Sequence, residues 1–420
     1  MKNYSMLTPF FYIFFLLSIF LHITFATSTP PYIAVDNITL DCGSFGNSKA
    51  TDERDWIGDI GSKYSPIKQN NKSNSSEAQR PVSNESIPYR TARFSYSQFT
   101  CVFRVTPGPK FVRLDFHSAA YSGFTKSKDF FTVKAGSFTL LRNFSSSIYT
   151  DSSDEKYFFK EFCINVEKNK KLKLTFIPFA SGSMSYYAFI NGIEVVSMPM
   201  DMYYTSSSSI IEGKVPVYVG QALQFYINYS MALEMVYRLS IGGSSIPPMQ
   251  DTGMFRKWSE GMTDYLLSNG TSPRDPSLKL KYSKIPKYIA PGTRDSMSNL
   301  TWGLPVETRF NYRVRLHFCE IDLGIHFSGT REFTIYIDYQ LAEETADVIL
   351  WADDNNTSYY KDYVVMIQNK GEDSHTLAID LHPRTDATLS DAILNGVEVF
   401  TLGDLSGNLA GLNMVPPLMD

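Results

Sequence analysis

Apolar and polar residues alternate along much of this 420-residue chain. In Val112-Arg-Leu-Asp-Phe-His117 the residues Val112, Leu114 and Phe116 alternate with Arg113, Asp115 and His117. That period of two is the signature of a strand with one buried face. The pattern returns in Val314-Arg-Leu-His-Phe318 through Val314, Leu316 and Phe318. Further strand-like runs are Phe99-Thr-Cys-Val-Phe103, Phe130-Phe-Thr-Val133, Phe162-Cys-Ile-Asn-Val166, Lys171-Leu-Lys-Leu-Thr-Phe176, Val217-Tyr-Val219, Phe333-Thr-Ile-Tyr-Ile337 and Tyr363-Val-Val-Met-Ile367. Many short strands separated by Gly, Pro, Asn and Ser predict β-sandwiches rather than helical bundles. A single helix is expected where Ser230 can cap Met231 to Tyr237, followed by a strand from Arg238.

The blocks recur at one offset. Ala188-Phe-Ile-Asn-Gly-Ile-Glu-Val195 returns as Ala392-Ile-Leu-Asn-Gly-Val-Glu-Val399, and Arg54-Asp-Trp56 as Arg256-Lys-Trp258. A repeat of about two hundred residues means two whole domains, since solenoid repeats run roughly 20 to 50 residues. By the same offset, the strand opening the second domain has its counterpart in Tyr32 to Asn37. The expected divisions are domain A over 27–200, a connection over 201–229, domain B over 230–403 and a tail over 404–420. The connection carries Tyr218 and Phe225, so part of it should pack against a domain. The Asn/Ser/Lys-rich stretch from Ser62 to about Ser86 reads as a poorly ordered surface loop.

Compartment changes the picture next. Lys2, the apolar run from Pro9 to Phe25 and the small residues around Ala26 read as a signal peptide over 1–26. An uncleaved anchor is the alternative, because the run approaches the roughly 18 residues that span a bilayer. Glycosylation sequons agree with secretion: Asn37, Asn71, Asn74, Asn84, Asn143, Asn228, Asn269, Asn299, Asn355 and Asn356 each precede x-Ser/Thr. Modification at both of the adjacent Asn355 and Asn356 is not expected. Four cysteines cannot frame domains of this size, which must rely on hydrophobic cores. A Cys101–Cys163 disulfide is the first expectation and four buried thiols the alternative, since sequence does not fix connectivity. No short Cys or His ligand spacing suggests a metal, and none is expected. The net charge of −4 comes without a basic stripe, which argues against nucleic acid.

Taken in order, Leu40-Asp-Cys-Gly43, Arg54-Asp-Trp56, Tyr237-Arg-Leu-Ser-Ile-Gly-Gly243, Asp251-Thr-Gly-Met-Phe-Arg256, Val314-Arg-Leu-His-Phe-Cys-Glu320, Ala346-Asp-Val348, Tyr360-Lys-Asp-Tyr-Val-Val365, Leu394-Asn-Gly-Val-Glu398 and Gly407-Asn-Leu-Ala-Gly411 resemble the tandem malectin-like ectodomain of plant receptor kinases of the FERONIA type. The resemblance spans the chain beyond the leader and is closer in the second half. It implies an all-β fold of two malectin-like sandwiches side by side. It also implies recognition of secreted rapid-alkalinization-type peptides with lipid-anchored co-receptors, binding to pectin or other wall glycans, and placement at the plasma membrane or in the apoplast. The sequence lacks the Gly-rich loop, His-Arg-Asp and Asp-Phe-Gly elements of a kinase. It therefore reads either as part of a receptor or as a secreted ectodomain, with no cofactor.

Candidate chemistry is sparse. The adjacent Asp353 and Asp354 sit in a turn-like context and do not make the opposed carboxyl pair of a glycosidase. His117 and His317 lack a nucleophile elbow, so no enzymatic activity is expected. Sugar could stack on the clusters Tyr186-Tyr187, Tyr203-Tyr204 and Tyr359-Tyr360, although sandwich tyrosines are more often packing residues. Peptide could dock on Asn269 and Gly270 or on Asn299 and Trp302, unless glycans occupy both asparagines. A soluble wall lectin is the second functional reading.

Overall fold

The computed structural model describes residues 31–68, 73–77, 87–121, 124–151, 156–168, 170–180, 185–221, 223–261, 265–267, 288–289 and 299–411 apart from Leu405. The expected leader, Asn71, Asn84, Asn269, Gly270 and the end of the tail lie outside them.

Each repeat contributes four long strands to one sheet. From the first come β1 (Asn37–Phe45), β2 (Gly108–His117), β3 (Tyr157–Val166) and β4 (Gly192–Ser197). From the second come β5 (Leu233–Ser240), β6 (Asn311–Cys319), β7 (Ser358–Met366) and β8 (Gly396–Leu402). Within the first repeat the order is β3-β2-β4-β1, and the second repeats it as β7-β6-β8-β5. The two halves then join edge to edge: β5 pairs antiparallel with β3, with Glu161 opposite Met235 and Cys163 opposite Leu233. Residues from Ala34 onward accordingly form one compact unit.

Each half closes its sandwich with a second sheet. In the first, strands including Phe99–Phe103, Phe131–Ala135, Phe138–Phe144 and Leu172–Pro178 face β1 to β4. In the second, Leu300–Glu307, Phe333–Ile337, Gln340–Ala346 and Ser374–Pro383 face β5 to β8. The apolar members of each alternation meet between the layers, as two inward sheet faces must. Phe116 lies 5.4 Å from Phe144 and 5.9 Å from Phe131, while Phe318 lies 5.5 Å from Trp351. Two hydrophobic cores result, one under each half.

Two segments cross between the halves. The connection carries a short helix, Ser207–Ile211, capped by Ser206. It then lays Val217–Tyr218 parallel to β7 and buries Val219 in the second core. The tail runs the opposite way: Leu409 is buried in the first core. Its backbone N–H donates to Thr139 O at 3.0 Å, and Thr139 N–H donates to Gly407 O at 3.0 Å. Gly407 adopts φ +75°, and a Cβ there would come within 3.1 Å of Phe138.

Several expectations are corrected. The stretch Met231 to Tyr237 is not helical; Leu233 to Ser240 is β5. Helix propensity is a weak prior, and here a strand between β3 and β8 satisfies its backbone on both sides. The opening strand of the first half begins at Asn37, not Tyr32. Part of the expected loop is ordered as Ile67–Lys68 and Ser73–Glu77. Cys101 and Cys163 form no disulfide, and all four cysteines are buried. The physical reason is that they lie on opposite sides of a sheet. Cys101 faces the first core, whereas Cys163 shares the outer face of β3 with Glu161, opposite to Phe162 and Ile164.

Candidate functional site

The polar half of the alternation does not face water. Arg113, Asp115 and His117 are 3%, 4% and 3% exposed, so β2 is buried on both faces. A polar residue on a covered face must find partners. The outer face of the shared sheet supplies them as a row of alternating charges running across the join.

The row starts at Arg54, which is held by Asp52 at 2.6 Å and by Glu194 at 2.5 Å. Arg113 reaches Glu194 at 3.2 Å and Glu161 at 2.5 Å, and donates to Met254 O of the second half at 3.0 Å. Arg238, on β5, spans the join: it donates to Glu161 Oε1 at 2.8 Å and to Glu398 Oε1 at 2.7 Å. Glu398 also accepts from the Tyr203 hydroxyl at 2.6 Å, and its other oxygen lies 3.1 Å from His317 Nε2. Arg256 completes the group, clamping Asp251 and donating to Tyr203 at 3.1 Å.

These contacts set the protonation states. Burial pushes the Glu161 and Glu398 carboxyls up, but the guanidiniums of Arg238 and its neighbours outweigh it. Both acids are held below their ordinary range, Glu398 well below. Asp115 goes the other way. Burial, then the nearby Glu194 charge, raise it to about 7 against a hydrogen bond from Tyr89 and the charges of Arg54 and Arg113. Burial likewise raises Asp41 to about 6.

Beside this row the connection passes over β6 and β7 and leaves a narrow cleft. Tyr203, Tyr204, Ser209 and Lys214 form one wall, and Arg313, Arg315, Tyr360 and Asp362 the other. Its volume of about 10 Å³ is room for one water molecule. Asp362 accepts from Arg313 at 2.7 Å and from Arg315 at 2.8 Å, and Arg315 lies 3.7 Å from the Tyr360 ring centroid. Asp362 and Arg315 are engaged, and Arg315 Nη2 donates to Met202 O of the connection at 2.7 Å, whereas Arg313 Nε and Nη1 are buried without a hydrogen-bond partner among the described residues; the arrangement fastens the connection to the sheet.

The residues expected to bind ligand are scattered. Tyr186, Tyr187, Tyr203 and Tyr204 are 6%, 2%, 1% and 2% exposed, which corrects their reading as stacking platforms. Tyr186 packs on Phe130 and Phe179, and Tyr187 on Phe124. The Tyr204 hydroxyl donates to Cys163 O at 3.0 Å. Trp302 is fully buried in the second core and carries no exposed ring for docking, whereas Asn299 beside it is exposed. Tyr359 and Tyr360 are partly exposed, and only Tyr360 joins Tyr203 and Tyr204 at the cleft. Asp353 and Asp354 are exposed on a turn, with Asp353 in the left-handed conformation that ends the helix Val348–Ala352. His117 Nδ1 lies 2.9 Å from Tyr89 O, and burial lowers its pKa.

Sequence reasoning missed the charge row, although a signal was present. Arg113 and Arg315 stand at equivalent positions of the two copies, as do Glu194 and Glu398. Charges repeated on strands predict a paired, covered face.

Comparison with known proteins follows the same lines. The malectin-like domain family matches residues 40–402. The receptor-like protein kinase FERONIA of Arabidopsis thaliana is 39% identical over 96% of this chain and 46% of its own length. ANXUR1 of the same plant is 30% identical over 91% of the chain and 45% of its length. The chain thus spans about half the length of these relatives. Among solved structures, the plant receptor-like kinase FER superposes with a TM-score of 0.77 at 36% identity, covering 91% of this chain and all of that one. FER in complex with the peptide RALF23 and with LLG2 superposes with 0.76 at 36% identity, covering 92% and 100%.

Proposed function

The chain belongs to the malectin-like domain family, and on that premise we propose that it is the ligand-binding ectodomain of a plant malectin-like receptor kinase. Its matched region is the non-catalytic, extracellular part of those receptors, and among the described residues no helix is long and apolar enough to cross a membrane. In this reading residues 27–200 and 230–403 are two malectin-like modules behind a leader over 1–26. Together they recognise a secreted peptide of the rapid-alkalinization class with a lipid-anchored co-receptor, at the plasma membrane or in the apoplast. Recognition proceeds by surface complementarity, without chemistry on the ligand.

The observation that carries this reading is the likeness, over 92% of the chain, to a receptor solved with such a peptide and LLG2. The joined sheet supports it, because a fixed relation between two modules presents a preorganised surface to a composite ligand. A wall lectin is the weaker reading, since Tyr186, Tyr187, Tyr203 and Tyr204 offer no exposed face to a pyranose. Biolayer interferometry of the secreted chain against a synthetic alkalinization-type peptide, with and without a lipid-anchor-type co-receptor, tests the choice. Saturable binding strengthened by the co-receptor is expected. Binding to oligogalacturonide alone, with none to peptide, would reverse the ranking.

A further inference from the structure

We propose that Asn228 carries an N-linked oligosaccharide whose innermost N-acetylglucosamine packs against the ring of Tyr226. The inference rests on the secreted placement proposed above, but not on any peptide ligand.

Asn228 differs from the other sequons in having an aromatic residue two positions before it. The residues at that position elsewhere are Val35, Gln69, Lys72, Val82, Leu141, Leu267, Met297, Asp353 and Asp354. Backbone geometry makes the spacing matter. Tyr226 is 49% exposed, Ile227 fully buried and Asn228 exposed, so the first and third side chains leave the same face of an extended segment. That segment is pinned: Ile227 N–H donates to Thr205 Oγ1 at 3.0 Å, and Thr205 N–H donates to Ile227 O at 2.8 Å. Two residues on one strand face stand roughly 7 Å apart. A pyranose linked to the asparagine can lie back over that distance and set its C–H face on the tyrosine ring.

The asparagine is also oriented. A turn begins there, with Met231 N–H donating to Asn228 O at 3.1 Å. Its side-chain Oδ1 accepts from the Ser230 N–H at 2.9 Å and from the Ser230 hydroxyl. Both contacts use the carbonyl end, and among the described residues the Nδ2 end has no hydrogen-bond partner. Two other sequons are less open. Asn355 Nδ2 lies 3.0 Å from His326 Nδ1, and Asn143 is only partly exposed at φ +45°.

Attachment is an ordinary glycosyl transfer in the secretory pathway. Asn228 Nδ2 forms a bond to C1 of the sugar, the bond from C1 to the lipid-diphosphate donor breaks, and the diphosphate leaves with its electron pair. The amide proton passes to a base of the transferase. Once in place, the glycan covers the outer side of the connection, where Tyr229 stacks 5.2 Å from Tyr204. A partner would then approach the molecule from other faces.

The test is secretion of the chain from cultured plant cells under a foreign leader, followed by amidase release in 18O-water and peptide mass spectrometry. Occupancy of Asn228 in most molecules is expected. Contact with the ring is read separately from a thermal cycle on the secreted proteins. N228Q should lower the melting temperature by about 1–2 °C more in the Tyr226 background than in Y226S. Tyr226 is exposed, so Y226S leaves the core intact. An unoccupied Asn228 overturns the proposal, as does an N228Q effect that is equal in both backgrounds. Neither result bears on peptide binding, which the interferometry measures independently.

Discussion

Arg238 and Glu161 belong to different sandwiches, yet they meet at 2.8 Å with their side chains 1% and 0% exposed. They sit on strands that pair directly, so the charge contact and the backbone ladder cross the same join. Arg238 is the only cation that touches both Glu161 and Glu398 among the described residues. This one guanidinium therefore neutralises a buried acid in each half.

Removing it should be expensive. R238M leaves Glu161 dependent on Arg113 and Glu398 on Arg256 and His317, with unpaired oxygen capacity in a covered face. A loss of about 3–5 kcal/mol is expected, the magnitude for breaking a buried pair from one side. Urea unfolding at neutral pH measures it. A loss below about 1 kcal/mol would mean that water reaches these acids.

The raised carboxyl of Asp115 gives a pH slope of definite sign. Unfolded, the group titrates near 3.8; folded, near 7. Between these values the folded chain holds a proton that the unfolded chain has lost, so stability falls as pH rises through the window and levels off above it. Asp41, folded near 6, adds the same sign over a narrower range. Glu161, Glu398 and Asp362 act oppositely, losing stability only as pH drops below the ordinary carboxylate range. Melting temperatures should decline from pH 4.5 to about 7 and level off towards pH 8, and D115N should flatten that decline.

Thiol reactivity follows from burial. Burial pushes the Cys101 thiol up to about 12, and Cys42 and Cys163 also shift upward from burial. Native protein should resist iodoacetamide at pH 8. After denaturation without reductant all four cysteines should be alkylated, as intact mass reports. Fewer than four would indicate a disulfide.

The tail offers a test of long-range packing. Leu409 is 1% exposed in the core of the first sandwich, although the sequence places it beyond the second. L409A should cost about 2–5 kcal/mol, as for a buried leucine. Hydrogen exchange should quicken at Thr139, whose amide donates to Gly407 O. An effect confined to the second half would contradict the tail's packing on the first sandwich.

Much of the fold was legible because strands advertise themselves. Phe99–Phe103 and Phe333–Ile337 are found where the period-two pattern puts them, and both copies of the Asn-Gly block end in the central strands β4 and β8. Reading failed where a local preference met a stronger partner. Met231 to Tyr237 has helix-forming residues, but the open edges of β3 and β8 turn Leu233 to Ser240 into a strand. The tyrosine pairs failed for a related reason: sequence reports an aromatic cluster but not which side of the sheet is covered.

The sequence by itself determined the duplication, the all-β class, the apolar face of each strand and the family. It did so because alternation, turn residues and repeat spacing are local or arithmetic properties of the chain. Only the tertiary structure decided that the two sandwiches share one sheet and that Arg113, Arg238 and Glu398 lie buried on its outer face. It also decided that Leu409 returns to the first core and that Cys101 and Cys163 stay apart. Each of these depends on which edge finds which partner. That choice is set by burial and backbone pairing summed over segments far apart in sequence, and no single stretch of residues encodes it.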